Sequence, residues 1–207
     1  MARNPKEFNF TLVVSGVHEE TRGLEDALFV AGCDDALLYF KNGVTYLEFD
    51  RESDSLESAI LSAIHAVEST NIGANVIRVE PEDLVNSAEI ARRTDKSREA
   101  VRKMIDSLTR QHLFPPPAVT LNDKSILWSW YQVTDCLCRQ NKISKAFFDL
   151  AKTLYEINSA LEIRRYPETL DRKFLLLAEV GSQSQAKDEI NSSLKKICGV
   201  LVDKEAI

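Results

Sequence analysis

Three consecutive prolines, Pro115 to Pro117, follow Phe114 near the middle of the chain and restrict its folding more than any other feature. Proline offers no N–H to a helix or a central strand, and its ring pushes the residue before it into an extended form. A helix arriving from upstream therefore stops before this point, and the chain beyond it is extended. Val119 to Leu121, the polar tip Asn122-Asp123-Lys124 and Ser125 to Trp128 fit a small β-hairpin. Ser129 with Gln132 then reads as a capping box for a helix in WYQVTDCLCRQ.

Upstream of the prolines the pattern is helical. Asn86-Ser87-Ala88-Glu89 supplies a cap with a glutamate three residues on, and Ser87 to Thr94 reads as a short helix with Ile90 and Ala91 inside. Asp95-Lys96 is the turn. Ser97 caps a second helix to about Arg110, with Val101, Ile105 and Leu108 inward. Two short helices joined this way make a helix-turn-helix.

Inward Val101, Ile105 and Leu108 leave Arg98, Glu99, Arg102, Lys103 and Asp106 on the outer side, and Arg92, Arg93 and Lys96 stand just before them. Arginine matches guanine O6 and N7 through its planar fork, so Arg98 and Arg102 are the candidates for base reading, with Lys103 and Arg93 as positioning charges. Ser97 and Glu99 could add base contacts, while Arg92 and Lys96 would meet backbone phosphate beside the free N–H groups of the second helix. The plain alternative is the solvated face of an ordinary helical hairpin.

The N-terminal part alternates differently. Phe8 to Val14 reads as a strand and Thr21 to Ala31 as a helix with Leu24, Ala27, Leu28 and Ala31 on one face. Ala36 to Phe40 and Val44 to Phe49 flank Lys41-Asn42-Gly43, and Asn-Gly accepts the positive φ of a tight hairpin. Ser55 caps a helix in LESAILSAIHAVES, and Asn75 to Val79 returns as a strand. The order βαββαβ predicts a ferredoxin-like sandwich with one sheet face open. The fold class expected is α+β.

Charge divides along the same line. Residues 1–83 hold 16 acidic and 6 basic residues, a net of −10, whereas the remainder carries a net of +4. Such asymmetry is a hint of nucleic-acid contact by the basic part, and a solvated surface produces it too. Beyond Asn141 a long amphipathic helix runs through Ile143, Phe147, Leu150, Ala151, Leu154, Ile157 and Leu161. A polar break from Arg164 to Lys173, the apolar stretch FLLLAEV and a last helix from about Gln183 to Cys198 complete the chain. The expected domains are 1–83, 84–140 and 141–207, the third helical and suited to oligomerisation; its apolar stripe either meets a second subunit or packs on its own domain.

Several chemistries find no footing. Cys33, Cys136, Cys138 and Cys198 lack zinc spacing and read as small buried thiols, and His18, His65 and His112 stand far apart. Asp34 and Asp35 read as a solvated pair, and no phosphate-binding loop or nucleophile elbow is present. No metal, cofactor or catalytic residue is therefore expected. No run of about 20 apolar residues occurs and MARNPKEF lacks the order of a secretory signal, so a cytoplasmic protein is expected, without a membrane partner.

The span from about Leu84 to Leu137 resembles the winged helix-turn-helix of MerR-type regulators and excisionases. It carries S-x-E-I-A (Ser87, Glu89, Ile90, Ala91), S-R-x-x-V-R (Ser97, Arg98, Val101, Arg102), F-P-x-P (Phe114, Pro115, Pro117) and L-W-x-W-x-x-V (Leu127, Trp128, Trp130, Val133), in the family's order. The resemblance implies that the second helix reads the major groove through Arg98 and Arg102, and that Lys124 and Ser125 touch the backbone from the wing. Asp95 stands where the family usually has a turn glycine, and Lys96 where it has an apolar residue. The stretches FTLVVSGV, LEDALFVAGCDDALL and YLEFDRES resemble the N-terminal part of small uncharacterised bacterial proteins that carry such a unit.

The expectation is a bacterial DNA-binding transcription regulator, a repressor by preference and not an enzyme. It would act as a homodimer on double-stranded DNA, because specific sites usually come from two such units on a two-fold axis. The alternative is an antitoxin or other partner-neutralising protein that represses its own operon, with the second protein bound by the acidic domain or the C-terminal helices.

Overall fold

The computed structural model describes residues 6–122, 125–170, 172–173 and 175–176. The expected tip residues Asp123 and Lys124, most of the FLLLAEV stretch, the helix from Gln183 and Cys198 lie outside the described residues. The fold is mixed α+β with two antiparallel sheets. The chain divides into two compact units, one reaching Glu162 and the other starting at Ile163.

The first unit begins with β1 (Lys6–Ser15), α1 (Leu24–Val30), β2 (Ala36–Lys41), β3 (Val44–Ser53), α2 (Leu56–Glu68) and β4 (Asn75–Glu80). The sheet order is β2-β3-β1-β4. Asn42 and Gly43, both at positive φ, close the β2–β3 hairpin, so that Lys41 faces Val44. Helix α1 is shorter than the Thr21–Ala31 periodicity predicts, because Gly23 sits at φ 69°, outside the helical region, and the helix starts after it. The Ser55 hydroxyl accepts from the Ser58 N–H and opens α2.

Alternation along β1 sends Phe10, Leu12 and Val14 to the side of α1 and α2, where they meet Leu47 and Phe49 of β3 and Ile60, Ala63 and Val67 of α2. Each fully buried large side chain of this kind contributes about 1.5–3 kcal/mol. Asp35, expected to be solvated beside Asp34, instead receives Arg51 Nε at 2.6 Å and Nη2 at 2.7 Å. Arg51 Nη2 also donates to the Gly32 carbonyl, so one guanidinium fastens the loop after α1 to the sheet.

The same unit continues with β5 (Leu84–Val85), α3 (Ser87–Arg93), α4 (Arg98–Arg110), β6 (Val119–Asn122), β7 (Ser125–Ser129), α5 (Trp130–Arg139) and α6 (Lys145–Arg165), whose last turn from Ile163 belongs to the second unit. Strand order in the second sheet is β5-β7-β6. The two-residue β5, too short to show a period, pairs with Trp128 and Ser129 of β7. Asp83 just before it accepts from Trp130 N–H through its carbonyl and from Tyr131 N–H through its carboxylate, which caps α5. A second core holds Val85, Ile90, Val101, Leu108, Trp128, Val133 and Leu137, with Ile105 and Met104 half-buried at its margin.

Helix α6 serves both cores. Ala151 is buried in the second, with Ile143 and Phe147 packed against it, while Leu161 is buried in the first beside Leu154 and Ile157. Asn158 lies along the free edge of β4: its Oδ1 accepts from Val79 N–H and its amide donates to Val79 C=O, both at 2.8 Å. The stripe, expected to meet a second subunit or to pack on its own domain, lies in part against the two cores built by the preceding residues. In the second unit, the Arg165 guanidinium lies 5.4 Å from the Tyr166 ring centre, and Pro167–Thr169 forms a short 3-10 turn. Among the described residues no helix is long and apolar enough to cross a membrane.

Candidate nucleic-acid interface

The expected interface residues sit on α3, on the turn after it and on α4. Helix α3 opens where Asn86 Oδ1 accepts from Glu89 N–H, and it closes at Asp95, whose φ of 50° ends the helical run. Lys96 N–H then reaches back to the Ala91 carbonyl at 3.0 Å and Asp95 N–H to the Arg92 carbonyl, the pairing usually built around a glycine. Ser97 Oγ accepts from Ala100 N–H to start α4 immediately. Thus Asp95, where the resemblance led one to expect glycine, still makes a closed turn.

Arg92, Lys96, Ser97 and Arg98 line one open crevice of about 550 Å³ beside α3 and the start of α4, together with Asn86 and Glu89, whose carboxylate is taken by Arg92 and Arg93. The first four are exposed, and among the described residues neither Lys96 nor Arg98 has an ion-pair partner. The first turn of α4 leaves N–H groups free here, and the partial positive charge of a helix start adds to the cations. An acidic oxygen of phosphate would find several donors within this crevice.

Arg92 and Arg93 differ although they are adjacent. Glu89 takes both, with Arg92 Nη2 at 2.6 Å and Arg93 Nε at 2.7 Å. Hydrogen bonding from Arg92, then from Arg93, against the opposing effect of burial, pulls the Glu89 carboxyl down to about 2. The Arg92 side chain is 69% exposed; that of Arg93 is 10% exposed and turns inward. Its guanidinium carbon lies 5.2 Å from the Trp130 ring centre and its Nη2 donates to the Glu82 carbonyl. Arg93 therefore stands apart from the exposed cations with which the sequence groups it.

On α4 the outward set is Glu99, Arg102, Lys103 and Asp106. Arg102 is held between Glu99 at 2.9 Å and Asp106 at 3.3 Å, and Lys103 approaches Glu99 at 3.4 Å. The Arg102 hydrogen bond keeps the Glu99 carboxyl below its ordinary value. These pairs are solvent-exposed, and Glu99 holds Arg102 through two hydrogen bonds, Nε at 3.1 Å and Nη2 at 2.9 Å, so a base edge has to displace a bidentate pair to take the arginine. The i, i+3 and i, i+4 spacings of Glu89 and Asp106 to their arginines are visible in the sequence, and would have found both clamps.

Ser125 is half-buried at the start of β7, and Lys124 lies outside the described residues. The hairpin is anchored by Trp128, which meets Phe114 edge to face at 5.7 Å just after α4. Elsewhere Cys33 and Cys136 are buried and Cys138 is half-buried. Burial pushes the Cys33 thiol up to about 11. Comparison with family models, with curated proteins and with solved structures finds no match to the chain.

Proposed function

We propose that the chain is a sequence-specific double-stranded DNA-binding regulator whose residues 84–140 act as a winged helix-turn-helix. The observation that carries this reading is the cluster of Arg92, Lys96, Ser97 and Arg98 around one crevice at the capped start of α4, with Arg102 exposed on the next turn. The β6–β7 hairpin, tied to the helix pair through Trp128, takes the part of the wing, and the antiparallel order β2-β3-β1-β4 with α1 and α2 on one side supports a ferredoxin-like N-terminal domain. The protein acts without chemistry of its own, in the cytoplasm, as a homodimer that places two reading helices on a two-fold site.

Selection of bound duplexes from a random pool, and then titration on the selected site, tests the reading. Arg102→Ala should weaken binding about tenfold or more and relax preference at one base pair, whereas Lys96→Ala should weaken all sequences alike and lessen the salt dependence. No enrichment from the pool, with the folded full chain, overturns it.

A second reading, an antitoxin-like protein that also holds a protein partner, is favoured by the sheet face away from α1 and α2. There Glu7 faces Glu52 across β1 and β3, Thr11 faces Glu48, and Tyr39 stacks on Tyr46 at 5.0 Å. Like charges directly opposed on a sheet favour a basic partner.

A further inference from the structure

Strand β4 leaves β1 at the Thr11–Glu80 pair, so among the described residues Lys6 to Phe10 pair with β3 alone and no strand lies beside the β1 edge there. The space left is a cavity of about 450 Å³ between that edge, the end of α3, the start of α5 and the middle of α6. Its apolar walls come from Phe10 of one core, Trp130 and Phe147 of the other, and Leu154. Trp130 and Phe147 are fixed edge to face at 5.9 Å, which gives a rigid aromatic corner.

Arg93 lines this cavity, nine-tenths buried, with Trp130 under its guanidinium. Its Nε goes to Glu89 and its Nη2 to the Glu82 carbonyl, but its Nη1 is buried with no hydrogen-bond partner among the described residues. A buried guanidinium N–H without an acceptor is unfavourable, and an occupant whose acceptor meets it through a small turn of the guanidinium towards the cavity removes that cost. Of the other charged residues in the wall, Glu80 is met by Arg78 at 2.9 Å and Arg92 by Glu89 at 2.6 Å, so Arg93 is distinguished by the Nη1 that lacks an acceptor.

From these features we infer that the cavity binds a small organic carboxylate with a ring-sized apolar body, its carboxylate on Arg93 and its body against Trp130 and Phe147. The volume falls within the roughly 300–1,000 Å³ of small-molecule sites, and an apolar lining with one convergent charged group is their usual chemistry. Fork geometry makes arginine the fitting partner for a carboxylate. The site goes beyond the DNA-binding reading and does not rest on it: it is measured on the full chain without DNA.

Isothermal titration calorimetry of the full chain with benzoate, 3-phenylpropionate and indole-3-acetate tests the inference, with 3-phenylpropionamide and acetate as controls. Saturable one-to-one binding of at least one aryl carboxylate is expected; the neutral amide should bind about tenfold weaker or less, for want of the charge-assisted hydrogen bond. Acetate, which lacks the body, should give no saturable heat. Arg93→Lys, with helix content checked by circular dichroism, should lose about tenfold in affinity. Leu150 lies on the rim of the cavity and is partly exposed, so Leu150→Trp should fill the space and abolish binding without disturbing either core. If Arg93→Lys unfolds, Leu150→Trp decides. The inference is overturned if none of the three acids binds, if acid and amide bind equally, or if Leu150→Trp binds as the wild type does.

Discussion

Glu89 receives two successive arginines, and the consequence is a stability term that depends on pH. Its carboxyl lies at about 2 in the folded chain against an ordinary 4.5, first because of the Arg92 hydrogen bond and then that of Arg93. A carboxyl with a lowered folded value stabilises the fold fully above its unfolded value and loses that contribution as pH falls through the folded one. Thermal melts of wild type and Glu89→Gln should therefore differ by a constant amount near neutrality and converge between pH 4.5 and about 2. A difference independent of pH across that window would mean that Glu89 acts through packing alone. The spacing of Glu89 to both arginines was legible in the sequence; that Arg93 faces Trp130 was not, since residues one apart on a helix differ by about 100° and only a neighbouring helix selects one.

Four of the helix ends in the described residues are built alike. Helices α1, α3, α4 and α5 stop at Gly32, Asp95, His112 and Asn141, each at positive φ, with the next N–H reaching back five residues. Glycine and asparagine advertise such a stop, whereas Asp95 and His112 hold the same conformation against the steric preference of a side chain. Asp95→Gly should accordingly raise stability by about 0.5–1 kcal/mol, read as an increase in melting temperature, and leave the α3–α4 turn unchanged. No gain would show that the aspartate side chain offsets its own strain. On α6, Asn158 does for β4 what another strand would do, satisfying both polar groups of Val79. Asn158→Leu leaves that N–H and C=O without partners and should cost roughly 2 kcal/mol in denaturant unfolding. A cost near zero would mean that water replaces the amide.

For the whole molecule, α6 decides what can be removed. The sequence places a boundary near residue 83, where the period and the charge both change, and a chain starting at Glu82 looks like a ready-made DNA-binding piece. In the structure that piece would leave Leu154, Ile157 and Leu161 uncovered and Asn158 without Val79. Burial of a large apolar side chain contributes up to about 3 kcal/mol, so losing cover over three of them consumes a large part of a domain's stability. A chain beginning at Glu82 should show reduced helix content by circular dichroism and concentration-dependent association by size-exclusion chromatography. A monomer with α6 intact would make that helix independent of the first sheet. Truncation is thus the wrong way to probe the acidic half; point changes on its sheet face, such as Glu48→Gln, keep α6 covered.

By itself the sequence determined the local geometry: the caps at Ser55, Ser97 and Ser129, the Asn42-Gly43 turn, the helix pair before the prolines and the hairpin after them. Each of these rests on φ/ψ preferences and side-chain hydrogen bonds reaching no more than four residues, so neighbours in the chain suffice to specify it. Only the tertiary structure decided that the α6 stripe serves two cores, that β5 pairs with β7, that Asp35 holds Arg51 and that Arg93 turns into a cavity walled from both sides. A periodic pattern says that a face is to be buried but not against what. The partner is chosen by packing and by the polar groups that burial would otherwise leave unpaired, and these meet only when residues as far apart as Val79 and Asn158 lie side by side.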